Sequence, residues 1–116
     1  MPLIKFFGIP RYTSEEYCSD FKEAVREAVV AIPQMNLTMN DVSVKLMAEV
    51  GGFDGEIHIE ITFNDKEERT LEVRNQLAKV LAEITLKHFL NVTHLVECWG
   101  EPFNSDRGFF CLKKGE

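Results

Sequence analysis

A chain of 116 residues has room for one domain around one core, and its 45% apolar and 28% charged residues are those of an ordinary globular protein. A net charge of −6 argues against nucleic acid and anionic membrane surfaces as partners, because both attract basic proteins. No stretch approaches the roughly 18 unbroken apolar residues of a membrane span.

The chain opens Met1-Pro2 and passes at once into Leu3-Ile4-Lys5-Phe6-Phe7-Gly8-Ile9, which predicts a strand from Pro2 to Ile9. If Met1 is trimmed, Pro2 carries a free secondary amine. An α-amino group already titrates at about 7.7–8.0, and an apolar setting disfavours its charged form, so such an amine can act as a general base near neutral pH. The alternative is an incidental proline, tolerated because the first position of a strand needs no donor. The opening apolar run is too short for a secretory signal and is soon interrupted by Arg11. Cys18, Cys98 and Cys111 are odd in number and far apart, so reduced thiols and a cytoplasmic location are expected.

After a turn at Pro10-Arg11-Tyr12, Thr13 with Glu16 reads as a capping box. Tyr17, Phe21, Ala24, Val25, Ala28, Val29 and Ile32 then recur at helical spacing until Pro33. A second strand is expected over 42–50, where Val42, Val44 and Leu46 alternate with Ser43, Lys45 and Met47. Gly51-Gly52-Phe53-Asp54-Gly55 breaks the chain at its midpoint. A third strand over 56–63 alternates Ile57, Ile59, Ile61 and Phe63 with His58, Glu60 and Thr62. Asp65 with Glu68 signals a second helix start, and Val73, Leu77, Val80, Leu81, Ile84 and His88 follow one face. A fourth strand over 94–99, a turn at Asn104-Ser105-Asp106 and a short run from Gly108 to Leu112 complete the chain. That last run is expected to pair with a neighbouring subunit's sheet edge.

The halves repeat a strand–helix–strand unit with a period of about 54 residues, counted from Pro2 to Glu56. The fold class is α+β: one domain over 1–116, with pseudo-repeats 2–50 and 56–112. The two β-α-β units should share a four-stranded mixed sheet, with both helices on one face. A ferredoxin-like fold has the same element order with different strand pairing, and periodicity leaves that alternative open. The uncovered sheet face would carry Ser43, Lys45, Met47, His58, Glu60 and Thr62, mixed enough to meet other subunits.

The chain resembles the tautomerase superfamily, which contains 4-oxalocrotonate tautomerase, 5-carboxymethyl-2-hydroxymuconate isomerase and macrophage migration inhibitory factor. The resemblance rests on the Met1-Pro2-Leu3-Ile4 start, Arg11 before the first helix, Val42-Ser43-Val44-Lys45, the turn from Gly51 to Gly55, and the duplicated unit spanning nearly the whole chain. It implies a homotrimer with a site near each N-terminal proline at a subunit boundary. It also implies keto–enol proton transfer on a small carbonyl or carboxylate substrate, with Pro2 as base. Where dicarboxylate-processing members place an arginine in the second strand, this chain has Ser43, with Lys45 two residues on. The lysine that macrophage migration inhibitory factor carries after its first helix has no counterpart in Ile32-Pro33-Gln34.

Proton abstraction beside a carbonyl builds negative charge on oxygen, which a cation stabilises. Arg11 is the first candidate, since its fork suits a carboxylate; otherwise it is a solvated turn residue. Lys45 is the second, on the mixed face. Glu60 could orient a water, or pair with Lys45 or across an interface. Trp99 could wall an aromatic pocket, or simply pack. His58 reads as a hydrogen-bonded interface residue. His88 and His94 lack ligand spacing, so no metal is expected, and no cofactor. The rival to catalysis is a non-catalytic oligomeric binding or assembly protein of the same fold, or a ferredoxin-like ligand-binding domain.

Overall fold

The computed structural model describes residues 2–64 and 66–103, with side-chain detail as far as residue 100. The expected turn at 104–106 and the run at 108–112 lie outside the described residues. Four strands form one sheet: β1 (Leu3–Ile9), β2 (Ser43–Ala48), β3 (Glu56–Asn64) and β4 (Leu95–Phe103), in the order β2-β1-β3-β4. β1 pairs in parallel with β2, and β3 in parallel with β4. The two units meet through an antiparallel β1–β3 pair. Each unit's strands are thus immediate neighbours, which rules out the ferredoxin-like alternative, where another strand splits them. β4 runs on past the expected end at Trp99 because it stays paired with β3 as far as Asn64 opposite Phe103.

Two helices, α1 (Glu15–Val30) and α2 (Leu71–His88), cover one face. Ile4, Phe6, Val44, Ile57, Ile59, Ile61 and Phe63 from the strands share a single buried cluster with Phe21, Val25 and Val29 of α1 and Val73, Leu77 and Leu81 of α2. Strand period two and helix period 3.6 therefore converge on one layer. Phe6 and Phe21 lock the first unit edge-on, with centroids 5.0 Å apart. Each fully buried side chain of this size contributes about 1.5–3 kcal/mol, so the core outweighs the helix caps, at about 1 kcal/mol each.

The caps differ from the sequence reading. Thr13 turns its hydroxyl back to the Pro10 carbonyl at 2.6 Å, closing the turn after β1. That leaves Ser14, with extended backbone, to cap α1 by accepting from the Tyr17 N–H at 3.1 Å. Thr70, five residues beyond the expected start, caps α2 by accepting from Val73 N–H at 3.3 Å. The first helix stops at Val30, and Pro33 opens a single 3-10 turn, Pro33–Met35.

Gly8 has φ +90°, and the β1–β2 register shifts between Phe7 and Ile9. A Cβ there would overlap the Glu56 carbonyl oxygen. The bulge lets β1 end against the start of β3, and only glycine fits it. Gly8→Ala should therefore lower unfolding free energy by about 2 kcal/mol or more, read as a shifted midpoint in urea.

Candidate active site

Pro2 is buried immediately before β1. Its carbonyl accepts from the Ser43 N–H at 3.0 Å, which ties the start of the chain to β2. Because β3 runs antiparallel to β1, with Leu3 opposite Thr62, the end of β3 lies beside Pro2.

At that end stands Arg69, which the sequence reading passed over inside the run Lys66-Glu67-Glu68. It is only 3% exposed. Its Nη1 donates to the Asn64 carbonyl at 2.9 Å and its Nη2 to the Met35 carbonyl at 3.1 Å. Its guanidinium carbon lies 5.9 Å from the centre of the Phe63 ring. Arg69 thus joins the end of β3 to the 3-10 turn after α1. Burial holds its pKa below the ordinary arginine value, and the charge of Glu68 works in the opposite direction. Among the described residues, Nε has no acceptor. A neighbouring hollow of about 640 Å³ is lined by Pro33, Gln34, Met35, Asn36, Lys66 and Glu68. No residue pattern marks Arg69 in advance, since a charge run before a helix ordinarily reads as solvated.

The open sheet face is organised by register. Lys45 pairs with Lys5, Lys5 with Glu60, and Glu60 with Trp99, so these four residues form one row across the sheet. The row brings together three of the expected site residues. Lys5, and not Lys45, is the strand neighbour of Glu60. Among the described residues, neither Lys5 nor Lys45 closes an ion pair with Glu60. In the next row, Phe7 pairs with Met47 and His58, and His58 pairs with Glu97. The His58 Nδ1 lies 3.6 Å from Glu97, and its ring centre 6.2 Å from that of the half-exposed Trp99.

Arg11 is exposed in the turn after β1. At about 3.3 Å per strand residue, the length of β1 puts roughly 20 Å between Pro2 and the turn that holds Arg11 in the same protomer. The structure therefore does not bring Pro2 and Arg11 together within one chain. Burial pushes the Cys98 thiol up to about 12, which keeps it protonated and a poor nucleophile. His88 ends α2, with its ring 5.2 Å from Phe21, and His94 packs against Gly55, so the two belong to separate clusters.

No family model matches the chain, and no curated protein matches it. Solved structures do. A fused 4-OT described as an asymmetric trimer aligns over 98% of this chain and 94% of its own, at 14% identity and TM-score 0.71. A macrophage migration inhibitory factor-like protein from Entamoeba histolytica aligns over 95% of both chains, at 9% identity and TM-score 0.69. A malonate semialdehyde decarboxylase aligns over 98% of this chain and 92% of its own, at 12% identity and TM-score 0.67.

The fold is that of the tautomerase superfamily. A domain of unknown function from Sebaldella termitidis shares it, at 17% identity and TM-score 0.63 over 100% of this chain and 98% of its own. Within this fold Arg69 clasps the end of β3, the strand end beside Pro2, to the 3-10 turn after α1. Arg69→Ala should cost about 2–4 kcal/mol, since it removes two charge-assisted bonds and strands two carbonyls. Arg69→Lys should recover only part of that, because an ammonium cannot span both acceptors as a planar fork does. Denaturant midpoints for the three proteins give the comparison.

Proposed function

We propose that this protein is a tautomerase-type isomerase acting on a small carbonyl acid. With Met1 removed, the Pro2 nitrogen takes a proton from the carbon beside the carbonyl. The electron pair moves onto oxygen as an enolate, and the proton returns to that oxygen to give the enol, the reverse path restoring the ketone. The observation that carries this reading is the place of Pro2, buried at the head of a central strand in a tautomerase fold. Desolvation at that position disfavours the protonated amine and favours the base at neutral pH.

Substrate binding in this proposal is shared between copies in a homotrimer. The trimeric description of the fused 4-OT supports the assembly. Arg11 stands at the other end of β1, so the Arg11 that meets a given Pro2 comes from another copy. Lys45, Glu60 and Trp99, aligned on the open face, form a second wall of that boundary. The cations hold the substrate carboxylate and steady the developing enolate.

Intact mass should show the loss of one methionine, and the purified protein should tautomerise phenylpyruvate. Pro2→Ala should then lower the rate by about 10²–10⁴-fold, a typical general-base contribution. Equal rates in the two proteins would remove Pro2 from the chemistry. A retained Met1 together with an inactive wild type would favour the non-catalytic binding protein.

Arg11→Ala should raise KM for a carboxylate substrate more than for its neutral ester, and Lys45→Ala should do the same more weakly. Shared sites make a further demand. Mixing the impaired Pro2→Ala and Arg11→Ala subunits, then exchanging them, should restore part of the activity. Sedimentation of a monomer at about 10 µM, a concentration where weak interfaces dissociate, would defeat the shared site.

A further inference from the structure

A second hollow, of about 640 Å³, lies between the turn after β1 and the end of α2. That size falls within the roughly 300–1,000 Å³ of small-molecule sites. Tyr12, Tyr17, Leu90 and Val92 line it, at 90%, 40%, 64% and 53% exposure, and they are half of the eight large apolar side chains exposed on the described surface. Scattered exposed apolar residues need no explanation, but a concentration of them around one concavity marks a binding surface.

The floor is fixed before any ligand arrives. The Tyr17 hydroxyl donates to the His88 carbonyl, joining α1 to the end of α2. The Tyr17 ring stands edge-on to buried Phe89, with centroids 5.8 Å apart, and Phe89 stands edge-on to Phe21 at 5.2 Å. Tyr12, by contrast, is a free rim.

The charge is one-sided. Lys87 lines the hollow and no carboxylate does. Arg11 occupies the adjoining turn between Pro10 and Tyr12, both of which line it. Glu15 and Glu16 follow on α1 but are not part of the wall. In a chain of net charge −6, a cation-rimmed aromatic hollow without an acid stands out. Rigid tyrosine faces suit a flat ring, and an ammonium at the rim suits one negative charge.

We propose that this hollow is a second ligand site, for a small aromatic acid. The ring lies against Tyr12, Tyr17 and Leu90, and the carboxylate meets Lys87. Within the protomer the site sits at the opposite end of β1 from Pro2, beside the Arg11 that the proposed trimer turns towards another copy's Pro2.

Amide shifts in ¹⁵N spectra, followed during titration with 4-hydroxyphenylacetate and with the neutral 4-hydroxyphenylethanol, test the assignment. The acid should shift amides in 12–17 and 87–92 saturably, with a Kd of about 0.1–1 mM, and the alcohol should bind several-fold more weakly. Tyr12→Ala and Leu90→Ser, both at exposed side chains, should each weaken the acid by about 3–10-fold. Lys87→Gln should bring the acid down to the alcohol. Four results would each overturn the assignment. These are no saturation by about 10 mM, acid and alcohol binding alike in the unaltered protein, shifts confined to Leu3, Ser43 and Asn64, or concentration-dependent shifts at 12–17 and 87–92 without ligand, which would show a second copy in the hollow.

Discussion

The antiparallel pairing of β1 with β3 is the contact on which the rest of this structure depends. It places Ile4 opposite Ile61 and Phe6 opposite Ile59, all four essentially without exposure. One face of the sheet is then committed to α1 and α2, because a slip of one residue would turn both apolar rows outward. The same pairing sets Pro2 beside the end of β3 and leaves Arg11 at the far end of its strand. A two-ended molecule results, with a buried proline and an arginine clasp at one end and an aromatic hollow at the other.

The Pro2 end is held by polar contacts that the core could not provide. The chain leaves β3, turns through the stretch containing Lys66 and returns as α2, while the 3-10 turn after α1 arrives from the other side. Carbonyls at Asn64 and Met35 need donors there, and Arg69 supplies both from one planar group. Burying a guanidinium is costly unless its donors are used, and two direct bonds with an aromatic ring nearby offset much of that cost. The clasp fixes the strand end that lies beside Pro2.

The open face follows different physics. Its rows alternate charge and apolar surface, with Lys45, Lys5, Glu60 and Trp99 in one and Met47, Phe7, His58 and Glu97 in the next. Lys5 beside Lys45 is a like-charge neighbour pair across strands about 4.8 Å apart, which is unfavourable unless something negative approaches. A face of this composition is neither a finished core nor an ordinary wet surface.

The sequence by itself determined the elements, the repeat and the buried stripe. Period two in Ile57, Ile59, Ile61 and Phe63, and period 3.6 in Phe21, Val25 and Val29, are local properties that any compact fold must satisfy by burying those rows together. The strong glycine break at 51–55 and the proline-led start were equally legible, because backbone conformation there depends on residue type alone. Caps were less so. Thr13 and Ser14 carry the same kind of oxygen, and only the turn back to Pro10 decided which of them faced the helix. Tertiary structure alone decided the strand order, Lys5 as the neighbour of Glu60, the separation of Pro2 from Arg11 and the burial of Arg69. Each of these depends on which residues distant in sequence become adjacent across a sheet or a turn. Local spacing carries no information about that, because pairing is chosen by the packing of the whole core.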